Sequence, residues 1–197
     1  MTDASKVRVG LADYVTGAIT HGPLVKEIPA DIDACGKATS SFGKAGYVSN
    51  DGLQLSQDYS TNDVQDWNGS TVRKLLESFT GEIAFTLMQA FSYEDACLAF
   101  GAENVERTAA DAQHGERIHI HVGAHLANPE SYCFNMKDGD ARVSILVPNG
   151  QVTAMDEIDF VANDAVKLPV TVSCYDDGTG TGDCIHIYTD DGVKTSA

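Results

Sequence analysis

A chain of 197 residues is long enough to bury a sizeable core, and its length favours a single domain over residues 1–197. Its 13 Lys and Arg against 29 Asp and Glu leave a formal charge of -16, the wrong sign for wrapping a phosphate backbone, so specific nucleic-acid binding is disfavoured. The opening residues lack a basic flank followed by an apolar run of signal length, and no window approaches the roughly 18 apolar residues of a membrane span, so a soluble protein made in a cytoplasm is expected.

A first short strand is predicted near Asp13 to Thr20. Residues 21–46 then show no sustained period and contain two prolines and four glycines. Structureless segments beyond about 12–15 residues are uncommon in compact domains, and this one reads as a long loop or an inter-subunit arm. Asn50-Asp51-Gly52, between Tyr47-Val48 and Leu53-Gln54-Leu55, predicts a tight hairpin, because an Asp-Gly step supplies positive φ. Towards Met88 the residues alternate, with Ile83, Phe85 and Leu87 on one face and Glu82, Ala84 and Thr86 on the other. That is the period of a half-buried strand, and its partner is expected from about Thr71 to Phe79.

Ser92-Tyr93-Glu94-Asp95 opens a predicted helix, since the Ser92 hydroxyl can cap free N–H groups, acids suit the first turn, and Gly101 can end it. Tyr93, Ala96, Cys97 and Phe100 form its apolar stripe. Further strands are expected at Arg117 to Val122, Arg142 to Val147, Leu168 to Tyr175 and Cys184 to Thr189. Asn149-Gly150 and the run Asp176 to Asp183 are read as turns. Many short strands, one short flanking helix and no βαβ rhythm indicate a mainly β protein, an antiparallel β-sandwich or partly closed barrel.

Five cysteines without a CxxC pair form an odd set, which reads as reduced, buried thiols. His119 and His121 lie two apart on a predicted strand, with His114 and His125 nearby, and Glu116 would be the acid to complete a zinc site. Ile118, Ile120 and Val122 already explain that strand as a buried face, so the histidines read as ordinary outward polar residues. The Asp176 to Asp183 run does not match an EF-hand loop and reads as a hairpin loop. With no GxSxG elbow and no recognisable cysteine nucleophile, no catalytic residue, metal or cofactor is expected, and the protein is read as a non-enzyme.

A Gly46 to Ser49 strand, Asp51-Gly52, a polar stretch from Ser56 to Asp66, Trp67, a strand pair over Thr71 to Gln89 and a helix over Ser92 to Phe100 occur in an order that resembles the major tail tube protein of long-tailed bacteriophages. Arg142 to Val152 resembles that family's basic strand with its Pro-Asn step, and Leu168 to Tyr175 its closing strand. The resemblance implies a structural virion protein forming hexameric rings that stack into a hollow tail tube. It further implies the tape measure protein inside during assembly, tail tip and terminator proteins at the ends, and double-stranded DNA passing later without specific binding. No C-terminal decoration domain is expected. The lumen wall is expected on the pair Thr71 to Phe79 and Thr80 to Gln89, with Glu77 and Glu82 repelling DNA, whereas Lys74 on that wall would attract it. The alternatives are the tube of a contractile injection system, and a lectin-like β-sandwich using Trp67, Tyr59 and the acidic turns; a metal hydrolase built on the histidines stands behind both.

Overall fold

The computed structural model describes residues 6–194; the extreme ends of the expected single domain, 1–5 and 195–197, lie outside the described residues. The strands are β1 (Leu11–Ala12), β2 (Ile19–Gly22), β3 (Gly43–Lys44), β4 (Val48–Gln65), β5 (Thr71–Leu87), β6 (Val105–Thr108), β7 (Arg117–Ile120), β8 (Glu130–Asp138), β9 (Ala141–Met155), β10 (Leu168–Cys174) and β11 (His186–Asp190). Two helices accompany them, α1 (Ile32–Ala38) and α2 (Tyr93–Phe100). The predominantly β, antiparallel architecture matches the expectation from the sequence, with one helix more. Neither helix is long and apolar enough to cross a membrane.

One sheet runs in the order β3-β2-β8-β9-β10-β5-β4, with β1 alongside β8 and β11 alongside β9; β6 and β7 make a separate hairpin. The sheet is not closed by hydrogen bonds, yet its two ends, β3 and β4, are consecutive in the chain. The run from Gly43 to Gln65 therefore starts against β2 and finishes against β5, bridging the open side. Side chains from all around this curl meet in one core: Ile19, Ile83, Phe85, Leu87, Tyr132, Phe134, Val147, Val170 and Val172. Phe85 and Phe134 meet edge-on at 5.6 Å, a favourable aromatic geometry.

Strands β8 and β9 are covered on both faces. Tyr132, Phe134, Ile145 and Val147 face the main core, while Cys133 and Leu146, of opposite parity, face Cys35 of α1. Helix α1 lies inside the segment expected to be a loop. Its Asp31 carboxylate accepts from the Ala34 N–H at 2.7 Å, and Arg142 joins it to the sheet by pairing with Asp33 at 3.0 Å and with Asp190 of β11 at 2.7 Å. A seven-residue helix that buries Cys35 has no apolar stripe to betray it.

Two expected turns are strand instead. Residues 49–52 make a bulge in β4, since Val48 pairs with Leu87 and Leu53 with Phe85; Gly52 supplies the positive φ of 71°. Asn149-Gly150 lies within β9, where Pro148 sits at a register shift against β8 and needs no ladder hydrogen bond. There β9 exchanges its neighbour β11, paired up to Leu146, for β10, paired from Gly150. A Cβ on Gly150 would come within 2.8 Å of the Tyr132 ring, so glycine is required for the close approach. Asp13 to Gly17, inside the first predicted strand, is a turn between β1 and β2, held by Asp13 accepting from the Val15 and Thr16 backbone N–H groups. All five cysteines are free and buried, as expected.

Helix α2 forms as predicted, with the Ser92 hydroxyl accepting from the Asp95 N–H at 3.1 Å and Gly101 at φ 86° ending it. Leu98 and Ala99 enter the main core, and Ala96 and Cys97 pack with Val105 against Ile118 and Ile120. Asp95 is wholly buried; one carboxylate oxygen accepts from the Gly46 N–H at 2.7 Å and the other has no partner. Burial raises its pKa despite the opposing hydrogen bond from Gly46. A raised folded-state pKa gives stability that is present below the unfolded value, about 3.9, and is lost as pH rises through the folded value. Urea titrations at about pH 7 and about pH 4 should therefore show wild type gaining on Asp95→Asn at the lower pH; an equal difference at both would mean that the carboxyl is solvated.

Candidate assembly surface

The β4–β5 ladder begins in the core and leaves it. From Gly81 to Leu87 the odd residues of β5 are buried and the strand is flanked by β10 as well as β4. Beyond Gly81 the neighbour β10 ends, and every residue from Ser56 to Ser78 is exposed. At about 3.4 Å per residue, the strands project about 30 Å as a two-stranded arm. The arm closes at Asp66, whose side chain accepts from the Asn68 and Ser70 N–H groups at 2.9 and 2.8 Å, with Gly69 at φ 80°. Trp67 sits in this turn, fully exposed.

This layout corrects the predicted pairing. Thr71 to Phe79 and Thr80 to Gln89 cannot pair with each other, because Thr71 to Leu87 is one strand, and its partner is Val48–Gln65, which takes in most of the stretch Ser56 to Asp66 read as polar. The register separates the two faces of the arm. The core-side parity continues outward through Tyr59 opposite Phe79, with ring centroids 4.9 Å apart, then Thr61 opposite Leu76, then Asp63 opposite Lys74, joined at 2.7 Å. The other face carries Gln54 opposite Ala84, Ser56 opposite Glu82, Asp58 opposite Thr80 and Ser60 opposite Ser78. Strand β10 extends this polar face with Thr171 and Ser173. The core-side face is thus apolar at Tyr59, Phe79 and Leu76, just beyond its own core, and the other is polar and acidic as far as Ser78, with Leu75, Val64 and Arg73 further out. As the outermost strand of the sheet, β4 also leaves a long edge that no other strand pairs among the described residues, met only at its start by the Tyr14 hydroxyl accepting from the Val48 N–H.

Glu82 and Glu77 are not neighbours. Glu82 is half-buried on the polar face, whereas Glu77 is the extra residue of a bulge further out, where Ser60 pairs with Ser78 and Thr61 with Leu76; its carboxylate accepts from the Ser60 hydroxyl at 3.3 Å. Lys74 lies on the core-side parity with its charge met by Asp63, away from Glu82. Tyr59 and Trp67 stand about 20 Å apart along the arm, too far to sandwich one sugar ring. In the acidic loop, Asp176, Asp177 and Asp183 accept from Gly178, Thr179 and Thr181 of the same loop, so these carboxylates are engaged in holding the turn.

The histidines divide. Glu116 pairs with Arg107 at 2.7 Å and is not their partner. Glu106, directly across from His119, takes that place, with His121 Nε2 3.4 Å and His119 Nδ1 3.9 Å from its carboxylate. His114 pairs with Asp111 at 3.4 Å, and His125 lies beside Gly123.

A family model described as phage tail tube protein matches residues 2–196. None of the curated proteins matches the chain. Among solved structures, the chain is similar to the tube-terminating cap of the anti-feeding prophage at 12% identity, over 95% of this chain and 97% of that one, with a TM-score of 0.46. It is similar to a chain of the sheath–tube complex of the extracellular contractile injection system PVC in its extended state at 12% identity, over 96% and 100%, with a TM-score of 0.43. Hcp protein gives 11% identity over 88% and 98%, with a TM-score of 0.28.

Because the arm buries almost nothing in its own chain, it is expected to be dispensable for folding. Replacing residues 61–77 by Asn-Gly, a two-residue hairpin turn between the paired Ser60 and Ser78, should leave unfolding cooperative and stability within about 1 kcal/mol of wild type. A larger loss in urea titration would mean that the arm supports the body.

Proposed function

The chain belongs to the phage tail tube protein family, a structural and non-enzymatic family, and we propose that it polymerises into hexameric rings that stack as the hollow tube. The observation that carries this reading is the exposed β4–β5 arm, whose apolar residues and outer edge have no strand or core to cover them among the described residues. A head-to-tail contact repeated around an axis closes into a ring, and a neighbouring copy lying along β4 would remove the edge as well as cover those residues.

In this reading the polar face with Asp58 and Glu82 lines the lumen, with Glu77 further along the arm. Near the body it would let DNA pass from the virion to the host without holding it, since phosphates there meet Asp58 and Glu82. Lys74 is turned to the other face, whereas Arg73, opposite Val64, lies on this one near the tip of the arm. The tape measure protein would occupy the same channel during assembly in the host cytoplasm, and terminator and tip proteins would cap the ends. Within residues 21–46, expected as a long loop or an inter-subunit arm, the segment between β2 and α1 is tied to its own chain by the Val25 N–H on the Ser131 hydroxyl and by the Tyr188 hydroxyl on the Pro29 carbonyl. Family membership replaces the sugar-binding and metal-hydrolase readings.

Negative-stain electron microscopy across a concentration series, with sedimentation on the same samples, tests this. Wild type should give rings or hollow tubes with six-fold views, promoted by salt that screens the net charge. Leu76→Asp and the arm-shortened protein should stay monomeric with an unchanged circular dichroism spectrum. Tubes from the arm-shortened protein would exclude the arm as the contact, and glycan binding by a wild type that never polymerises would remove the tube reading.

A further inference from the structure

The hairpin of β6 and β7 lies outside the arm proposed as the tube contact. Its two faces differ in kind. Val105, Ile118 and Ile120 pack against Ala96 and Cys97 of α2, which fixes the hairpin on the body and turns the alternate residues outward. Those are Glu106, His119 and His121, all exposed. Glu106 is the cross-strand partner of His119, and His121 follows two residues later on the same face, its N–H bonded to the Asn104 carbonyl at 2.8 Å. The imidazole rings lie 4.2 Å apart.

From this geometry we infer that Glu106, His119 and His121 form a binding site for a divalent transition-metal ion of the zinc type. One oxygen and two nitrogens, one from each residue, lie within 4.8 Å of one another. Ligands about 2.0–2.1 Å from a tetrahedral zinc ion stand about 3.3 Å apart, so the His121 to Glu106 separation of 3.4 Å already has the required length. The remaining approach is a fraction of a side-chain rotation at exposed positions. Two imidazoles and a carboxylate make the three-ligand set that leaves a fourth position open to water. Imidazole nitrogen selects zinc, copper or nickel over magnesium and calcium, which prefer oxygen.

The surroundings favour a cation. Glu106 supplies a negative charge that the two histidines share in the absence of metal. Arg117 lies two residues before His119 on the same face, but its guanidinium is engaged by Asp111 at 3.1 Å. Arg107 points to the α2 side, paired with Glu116 and lying 5.2 Å from the Tyr93 ring centre. The formal charge of -16 draws cations to the surface as a whole. The acid that completes the set is the cross-strand Glu106, 13 and 15 residues before the histidines in sequence, which is why the nearer Glu116 was the expected partner.

Isothermal titration of untagged, chelator-treated full-length protein with zinc chloride alone tests the site. We expect one zinc ion per chain in the micromolar range, weakened at least about tenfold in each of His119→Ala and His121→Ala and less in Glu106→Gln. His114→Ala should bind as wild type, and magnesium chloride should give no heat of binding. The double variant H119N/H121N keeps side chains of similar polarity on the hairpin, and its circular dichroism should match wild type, so lost binding would not be lost folding. Absence of zinc binding up to about millimolar concentration, the affinity floor of a useful site, would overturn the inference. So would binding that survives in H119N/H121N.

Discussion

The ladder between β4 and β5 is the constraint on which the rest of this molecule depends. In an antiparallel pair the side-chain parity set at one end is carried to the other, and here Ile83, Phe85 and Leu87 set it inside the core. That single choice decides that Phe79, Tyr59 and Leu76 follow on the core side after the core has ended, and that Glu82 and Asp58 follow on the other. A slip of one residue would bury Glu82 and expose Ile83. The body therefore acts as a register clamp for a projecting arm that has no packing of its own to define it.

The body is built to hold that clamp. β9 serves two neighbours on one edge by bending at Pro148, so β10 is delivered to the flank of β5 where its buried half lies. The opposite faces of β8 and β9 are sealed by α1 through Cys35, giving these central strands the double burial that a curled sheet needs. Asp95 then ties the first turn of α2 to Gly46, just before β4 begins. A buried carboxylate with one unpartnered oxygen is an expensive tie, and it sits where the chain crosses from one end of the sheet to the other. Position at that crossing determines how the arm leaves the body.

Elements whose residues answer to one buried face were legible in the sequence: the core half of β5, β10, and α2 with its Ser92 cap and Gly101 stop. β8, buried on both faces, and the outer half of β4, buried on neither, were not. β8 escaped because Tyr132, Cys133 and Phe134 make a short apolar run without alternation. The outer half of β4, Ser56 to Gln65, escaped for the opposite reason: with solvent on both sides, its polar residues look like a loop. Gly52 and Gly150 misled through local chemistry, since an Asp-Gly or Asn-Gly step serves a bulge or a close approach as readily as a turn. Lys74 could be placed only from the register, because the bulge at Glu77 shifts the parity of β5 by one. The same holds for Glu106, which cross-strand pairing brings to His119.

Energetics explain why such an arm would favour a closed ring over a chain of dimers. Fully burying a side chain such as Leu76 is worth about 1.5–3 kcal/mol, so covering Tyr59, Phe79 and Leu76 gains several kcal/mol. Immobilising one subunit on another costs roughly 4–15 kcal/mol, and the shared negative charge subtracts further. One contact is then near balance. The subunit that closes a ring covers its own arm and a neighbour's while losing its translational freedom once, so the favourable term doubles and the unfavourable one does not. A subunit landing on the rim of an existing tube is in the same position. In a tube built this way, growth from a formed end would be favoured over new starts.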